Sequence, residues 1–212
     1  MGGGRMPSVT IVGCGPGSRD FASRAALQAI AQADLLLGAR RLLDEFGETG
    51  NTVHYTSVRD TLQTIRDNSG KNVVILVTGD PGFFSITACI IREFGNENVT
   101  VIPGISSMTY AFDRLGLSWH DAVFVSAHRE MPPDFAETAA AAKKIGILTS
   151  PSNTPAILAA AINADVVAGR RFYVGERLSY PDEKLREYTY RQVCGLKTDE
   201  LSVLIIVRQE EG

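Results

Sequence analysis

Three short segments rich in glycine and proline each follow an apolar run of the sequence, and one of them carries a lone carboxylate. They are GCGPG (residues 13–17), GDPG (79–82) and PGISS (103–107), called here the first, second and third corner loops, and the carboxylate is Asp80. In an open parallel sheet, ligands bind beyond the carboxyl ends of the strands, so we expect the three loops to line one crevice. Any one loop taken alone is better explained as a tight strand-to-helix turn.

An acidic corner of this kind suits a metal site, a phosphate cradle or a pocket for a small cationic or polyol ligand. The sequence of the first corner loop argues against a phosphate cradle. Gly13 and Gly15 match the start of the G-x-G-x-x-G dinucleotide fingerprint, but residue 18 is serine, and Pro16 lacks the backbone N–H that a pyrophosphate needs. The chain also has no G-x-x-x-x-G-K-[ST] motif, so phosphate binding is not expected.

Metal and nucleophile chemistry have no better support. The histidines are scattered, and no H-x-x-x-H or paired carboxylate spacing supplies ligands for a divalent metal. The third corner loop lacks the second glycine of a nucleophile elbow, so its serines are better read as helix caps. A ligand with hydroxyls or amines and no phosphate remains, with Asp80 as its one charged contact. S-adenosylmethionine, which has a ribose, an amino-acid head and a sulfonium cation, fits that description.

Composition limits the class of protein. The chain has 212 residues, 44% of them hydrophobic and 21% charged, which is typical of a soluble globular protein with one large or two small domains. Its net charge of −3, without a Lys/Arg block, argues against nucleic acid as a partner. The apolar runs are too short to cross a bilayer and residues 1–8 do not resemble a signal peptide, so we expect a cytoplasmic protein without a membrane segment.

The elements that position the corner loops follow from hydrophobic periodicity. In the first half of the chain, apolar runs alternate with segments of helical period, which predicts a mainly parallel sheet with crossover helices. The predicted strands are residues 8–13, 34–38, 51–55, 72–78 and 99–102, and the predicted helices are residues 20–33, 57–68, 85–94 and 106–115. The pattern begins again after residue 116, so we predict α/β domains over residues 1–118 and 119–212, with a ligand cleft between them.

The second domain is predicted to contain a mixed sheet. Strands are expected at residues 123–127 and 145–150, with an Ala-rich helix between them and another helix after SNTP (152–155). The segments 187–193 and 201–207 are separated by a turn-like sequence, which favours a C-terminal antiparallel hairpin.

The segments IVGCGPGSRDFASRAA (11–26), TGDPGFFSI (78–86) and residues 102–129 together resemble the tetrapyrrole methylase family. The resemblance extends from about residue 8 to residue 208. It implies a two-domain α/β enzyme, a homodimer, with S-adenosylmethionine in the cleft between the domains. Within the third segment, residues 103–129 imply methyl transfer to C-5 of (cobalt-)precorrin-7, a step of cobalamin (vitamin B12) biosynthesis. A separate C-15 methyltransferase is the expected functional partner, because the chain ends at Gly212 without room for such a domain.

The resemblance also assigns residues. Its cofactor contacts are Pro16, Gly79, Asp80, Phe83, Ser106, Ser107, Thr149, Leu178 and Ser202. The implied substrate is a macrocycle ringed by carboxylates, which an acidic protein binds through a local group of cations. The candidates for that group are Arg40, Arg41, Arg114, Arg129 and Arg177, with Arg129 the first choice. His128 is the candidate for proton transfer or substrate orientation, and no metal is expected.

Other functions stay open at this point. A methylase of the same fold acting on another ring carbon, or on a translation-factor or ribosomal RNA target, is the main alternative. A nucleotide-binding oxidoreductase of Rossmann type and a non-catalytic ligand-binding subunit are alternatives of other classes. Whether the substrate carries cobalt is not determined by the sequence.

Overall fold

The computed structural model of the protein describes residues 8–47, 51–163 and 166–209. Its contacts divide the chain into two compact units, residues 1–106 and 107–212, each of which is described by itself. The division falls after Ser106, whereas the sequence predicts it after residue 118. The reason is that the helix beginning at Ser107 packs on the sheet of the second unit.

The first unit contains a sheet of five strands, all parallel, which confirms the prediction for this half of the chain. The strands are β1 (Ser8–Gly13), β2 (Leu35–Gly38), β3 (Thr52–His54), β4 (Asn72–Val77) and β5 (Val99–Ile102). Their order is β3-β2-β4-β1-β5, so β4 and β1 are interior strands. The first and second corner loops therefore leave the sheet from adjacent strands, and the third leaves from the neighbour of β1.

Helices cover both faces of this sheet. They are α1 (Arg24–Ala31), α2 (Arg40–Phe46), α3 (Val58–Asp67) and α4 (Thr87–Phe94). Alternate strand residues face opposite sides, so one apolar cluster contains Ile11 with Ile65 of α3, and the other contains Val12 with Leu42 of α2. The sequence did not predict α2, which has only seven residues and no side-chain hydrogen bond at its first cap.

Serine hydroxyls cap the start of a helix or turn at three positions of the first unit, Ser18, Ser23 and Ser57. The Ser57 hydroxyl accepts a hydrogen bond from the backbone N–H of Asp60 at 3.1 Å and caps α3. Ser18 caps a short 3-10 turn, Arg19–Phe21, and α1 begins later, at a cap formed by Ser23. The predicted helix over residues 20–33 is therefore two shorter elements.

The second unit contains α5 (Ser107–Arg114) and a mixed sheet of five strands. The strands are β6 (Ala122–Ser126), β7 (Lys144–Leu148), β8 (Arg170–Glu176), β9 (Lys184–Tyr188) and β10 (Ser202–Arg208), in the order β6-β7-β10-β8-β9. Only β6 and β7 are parallel. The remaining helices are α6 (Phe135–Ala141), α7 (Pro155–Ala160) and α8 (Tyr190–Cys194).

The predicted hairpin of residues 187–193 and 201–207 is wrong. β9 ends at Tyr188, and a capping box begins α8: the Thr189 hydroxyl accepts from Gln192 N–H, and the Gln192 side chain accepts from Thr189 N–H. β10 pairs with β7 and β8, while the antiparallel hairpin is formed by β8 and β9. β8 itself was not predicted.

Among the described residues, no helix has the length and apolar character needed to span a membrane.

Candidate functional site

The structure brings the corner loops of the first unit into contact. The backbone N–H of Cys14 donates to the carbonyl of Val77 at 2.9 Å. Gly15 and Gly79 then exchange two backbone hydrogen bonds, 3.3 Å and 2.8 Å long, in an isolated antiparallel bridge. The first and second corner loops thus stay hydrogen-bonded to each other beyond the ends of the parallel strands β1 and β4, although the bridge itself is antiparallel, and the convergence expected from strand order is present.

Glycines allow the third corner loop to join them. A Cβ atom on Gly13 would lie 2.6 Å from the backbone nitrogen of Gly104 and 2.7 Å from Cδ of Pro81. A Cβ atom on Gly104 would overlap the carbonyl oxygen of Gly79. These glycines are therefore required by contact between the loops, and not only by the turn that each loop makes.

Asp80 connects the second corner loop to the third. Its Oδ1 accepts from the backbone N–H of Gly82 at 2.7 Å, and its Oδ2 accepts from the backbone N–H of Gly104 at 3.1 Å. The residue is half-buried. Because each carboxylate oxygen has more than one lone pair, both keep acceptor capacity for a further donor.

The other predicted cofactor residues of this unit lie in or beside the same loops. Pro16 and Gly79 are buried in the first and second corner loops, and Ser106 is buried at the end of the third. Phe83 is half-buried, with its ring edge-on to the ring of Phe84 at a centroid distance of 5.8 Å. The loops therefore combine backbone polar groups, one carboxylate and aromatic surface.

A second group of predicted residues lies at one end of the sheet of the second unit. The Thr149 hydroxyl donates to the Ser202 carbonyl at 2.6 Å and lies 2.9 Å from the Ser202 hydroxyl. Ser202 is paired with Glu176, the last residue of β8, and Leu178 lies two positions after Glu176 in the chain. Thr149, Ser202 and Leu178 are all buried. We call these residues, with His128, the strand-end group.

His128 belongs to this group through the backbone. Its Nδ1 lies 3.3 Å from the carbonyl oxygen of Thr149. A carbonyl only accepts, so this contact assigns the proton to Nδ1 and leaves Nε2 of the neutral ring as an acceptor. The neighbouring Arg129 is exposed and makes no ion pair or side-chain hydrogen bond with any residue that the structure describes.

The remaining candidate arginines differ in their surroundings. Arg41, half-buried, donates from Nη2 to the Thr78 hydroxyl at 2.9 Å and so lies next to the second corner loop. Arg114 and Arg177 already have carboxylate partners within their unit, Glu183 at 3.2 Å and Asp182 at 2.6 Å. Ser107, which is also a predicted cofactor contact, is the first residue of α5.

Two features near these groups were missed by sequence reasoning. Thr78 precedes the second corner loop, and only the folded sheet reveals its contact with Arg41. Glu183 accepts a hydrogen bond from the Tyr110 hydroxyl, and the two residues are 73 positions apart in the chain. No local sequence pattern connects residues over that separation.

Cys14 lies within the first corner loop but is unsuited to nucleophilic chemistry. Its side chain is fully buried in the core of the first unit. Burial raises the pKa of the thiol to about 12, and the charge of Arg41 opposes this only in part. No group of three His, Cys, Asp or Glu side chains that could bind a metal ion occurs in residues 8–47, 51–163 and 166–209.

The chain is similar to known proteins along most of its length. The family model of the Tetrapyrrole (Corrin/Porphyrin) Methylases matches residues 8–194. A Salmonella typhimurium protein named cobalt-precorrin-7 C(5)-methyltransferase is 32% identical over 84% of this chain and 88% of its own length. A Mycobacterium tuberculosis protein named precorrin-6Y C(5,15)-methyltransferase [decarboxylating] is 27% identical over 93% of this chain and 51% of its own length.

Solved structures share the fold. The precorrin-6Y methylase of Archaeoglobus fulgidus superposes with a TM-score of 0.70 at 22% identity, covering 96% of this chain and 98% of its own. The uroporphyrin-III C-methyltransferase of Thermus thermophilus, crystallised with S-adenosylhomocysteine, gives a TM-score of 0.73 at 21% identity. That alignment covers 94% of this chain and 91% of the Thermus chain.

Proposed function

The chain belongs to the tetrapyrrole (corrin/porphyrin) methylases and is therefore a methyltransferase, and we propose that it transfers a methyl group from S-adenosylmethionine to C-5 of (cobalt-)precorrin-7 in cobalamin biosynthesis. The observation that carries the choice of substrate is the similarity, along most of both chains, to the Salmonella C(5)-methyltransferase. The contact among the three corner loops supports a ligand at this end of the parallel sheet.

The residues of the corner loops fit such a cofactor. When bound, S-adenosylmethionine supplies an electrophilic methyl group on a sulfonium. Asp80 keeps acceptor capacity for hydroxyl or ammonium donors, and the half-buried Phe83, whose backbone N–H donates to the Asp80 carbonyl at 3.0 Å, provides apolar surface. We assign to the cofactor all the residues predicted for it: Pro16, Gly79, Asp80, Phe83, Ser106, Ser107, Thr149, Leu178 and Ser202.

The contribution of the protein to rate is chiefly orientation and exclusion of water. Holding two reactants in register lowers the activation free energy by several kcal/mol, on the order of the values known for intramolecular reactions. The leaving group is a neutral thioether, so no general acid is needed to protonate it as it departs. His128 is the residue we assign to orient the substrate or to accept a proton, since its Nδ1 faces the Thr149 carbonyl and Nε2 is the other ring nitrogen.

Substrate carboxylates require cations that are not already paired. Arg129 meets this condition within the described part of the chain, and we assign it the main carboxylate contact. Arg41 is a second contact, since it lies beside Thr78 and the second corner loop. Arg114 is a weaker choice because its Nε already donates to Glu183.

We also propose that the protein works as a homodimer in the cytoplasm, together with a C-15 methyltransferase. The Mycobacterium relative, whose name includes both C-5 and C-15, supports the partnership.

Calorimetry with S-adenosylhomocysteine, S-adenosylmethionine and NAD tests the cofactor. We expect binding of the first two and none of NAD, and binding of NAD alone would overturn the assignment. Transfer of a ¹³C-labelled methyl group to cobalt-precorrin-7 and to its metal-free form, followed by NMR, tests the position. Label at C-5 supports the proposal, while label at another carbon indicates a different member of the same family.

A further inference from the structure

The loop between β8 and β9, residues 177–183, has an unusual backbone. Among the described residues, three that are not glycine have positive φ, and two of them, Arg177 at 47° and Ser179 at 71°, lie in this loop. The third, Phe84, follows the second corner loop. Left-handed backbone is strained for a non-glycine residue, so surrounding contacts must hold the loop in this form.

Glu183 provides those contacts. Its Oε2 accepts from the backbone N–H of Ser179 at 2.6 Å and from the Tyr110 hydroxyl at 2.8 Å. Its Oε1 accepts from Nε of Arg114 at 3.2 Å. The carboxylate is 14% exposed, so these bonds are largely shielded from water. One side chain therefore joins the strained residue Ser179 to two residues of α5.

The donor from α5 is available at any physiological pH. Tyr110 is buried, with 8% of its surface exposed. Burial, followed by its hydrogen bond to Glu183, raises the pKa of Tyr110 to about 12. The phenol thus stays protonated and donates to the carboxylate.

The loop held in this way carries Leu178, a predicted cofactor residue. Leu178 is 4% exposed, and its side chain packs on Gly175 of β8, where a Cβ atom would lie 3.0 Å from it. The backbone N–H of Arg177 donates to the Leu201 carbonyl at 2.9 Å, directly before Ser202. The loop is thereby anchored at the same sheet end as the strand-end group.

We propose that Glu183 is a positioning residue of the cofactor site. It holds the loop of residues 177–183 on α5, so that the backbone around Leu178 has its binding conformation before the cofactor arrives. The inference rests on the proposed function, because it takes S-adenosylmethionine as the ligand. A loop that is ordered in advance loses less conformational freedom on binding, which increases affinity without a direct contact from Glu183.

Three variants test the proposal: Glu183→Ala, Glu183→Gln and Tyr110→Phe. We expect Glu183→Ala to raise the dissociation constant of S-adenosylhomocysteine about tenfold, and Glu183→Gln, which keeps an oxygen for Ser179, to raise it about threefold. In turnover assays the Michaelis constant for S-adenosylmethionine should rise, with kcat and the tetrapyrrole Michaelis constant nearly unchanged. Asp121→Ala is the matched control, since it removes the 2.6 Å ion pair with Lys144 at the start of β7.

Limited digestion with trypsin reports on the loop itself, through cleavage after Arg177 followed by mass spectrometry. Cleavage there should be faster in Glu183→Ala than in the wild type or Asp121→Ala, and S-adenosylhomocysteine should slow it.

Wild-type protein that does not bind S-adenosylhomocysteine would refute the proposed function. Wild-type protein that binds, with all three variants binding equally well, would refute only the role of Glu183. If Glu183→Ala does not fold, the order of affinities among wild type, Glu183→Gln and Tyr110→Phe decides: reduced affinity in both supports the role, and equal affinity refutes it.

Discussion

The Asp80 carboxylate accepts a hydrogen bond from the backbone N–H of Gly104, 3.1 Å away, and so joins the second corner loop to the third. Its other oxygen closes the second loop on Gly82 at 2.7 Å. A residue that the sequence singled out as a ligand contact is thus also part of the internal structure of the site. Substitutions at Asp80 and Gly104 test these two roles.

Replacement of Asp80 by alanine should reduce both stability and affinity. Loss of two hydrogen bonds to a half-buried carboxylate should lower the free energy of unfolding by about 1–3 kcal/mol. The affinity for S-adenosylhomocysteine should fall about tenfold or more, since a charge-assisted contact is worth roughly 1.5–3 kcal/mol. Urea denaturation and calorimetry measure the two effects, with the exposed Asp44→Asn as control. An unchanged affinity would make Asp80 a structural residue only.

Gly104→Ala should be strongly destabilising, because its Cβ atom would overlap the Gly79 carbonyl oxygen and lie 2.8 Å from the carbonyl carbon of Gly13. Rigid backbone on both sides leaves no side chain to move aside, so we expect a loss of at least about 2 kcal/mol. Gly195→Ala is the control, since the nearest atom to its Cβ, the Gln192 carbonyl oxygen, is 3.9 Å away. Thermal unfolding compares the two, and equal melting temperatures would contradict the close packing of the loops.

The Cys14 thiol should resist alkylation in the folded protein. Burial raises its pKa from 9.0 to about 12, so at pH 8 it is protonated as well as inaccessible. Between pH 9 and pH 12 the unfolded chain loses this proton while the folded chain keeps it, so stability should fall as pH rises and be unaffected below pH 9.

Iodoacetamide labelling with mass spectrometry, and urea denaturation at several pH values, measure the two effects of Cys14. The Cys14→Ala variant should show a smaller loss of stability above pH 9. Rapid modification of Cys14 at pH 8, ahead of the half-buried Cys89 and Cys194, would contradict the prediction.

Arg129→Ala should raise the Michaelis constant for the tetrapyrrole about 10- to 100-fold, which corresponds to the 1–3 kcal/mol of one charged contact. Affinity for S-adenosylhomocysteine should stay nearly constant. Arg129→Lys should recover part of the loss, because an ammonium cannot make two parallel hydrogen bonds to a carboxylate. Arg191→Ala, also exposed, is the control. If Arg129→Ala has wild-type kinetics, Arg129 does not make the main carboxylate contact, and Arg41 becomes the candidate for it.

The strands and corner loops of the first unit could be predicted largely from local sequence. Runs such as VVILV, buried on both faces, are typical of interior parallel strands, and the glycine and proline that follow them mark the corner loops. Because parallel strands place their carboxyl ends together, the meeting of the loops was predictable as well. Helix α2 was not, since it is short and lacks a side-chain cap.

The second unit depended more on pairing between distant segments. The turn-like sequence after residues 187–193 favours a hairpin with residues 201–207, but the capping box of Thr189 and Gln192 begins a helix there, and β10 pairs with β7 and β8. Register between distant strands depends on packing across the sheet, which a local pattern does not contain.

The sequence by itself determined the fold class, the corner loops and the family, because periodicity and turn residues are local properties. Only the tertiary structure decided that Asp80 connects two loops and that Glu183 joins Ser179 to Tyr110. The bonds from Gly104 to Asp80 and from Tyr110 to Glu183 link positions far apart in the chain, and a carboxylate in the sequence does not reveal which donors folding will bring to it.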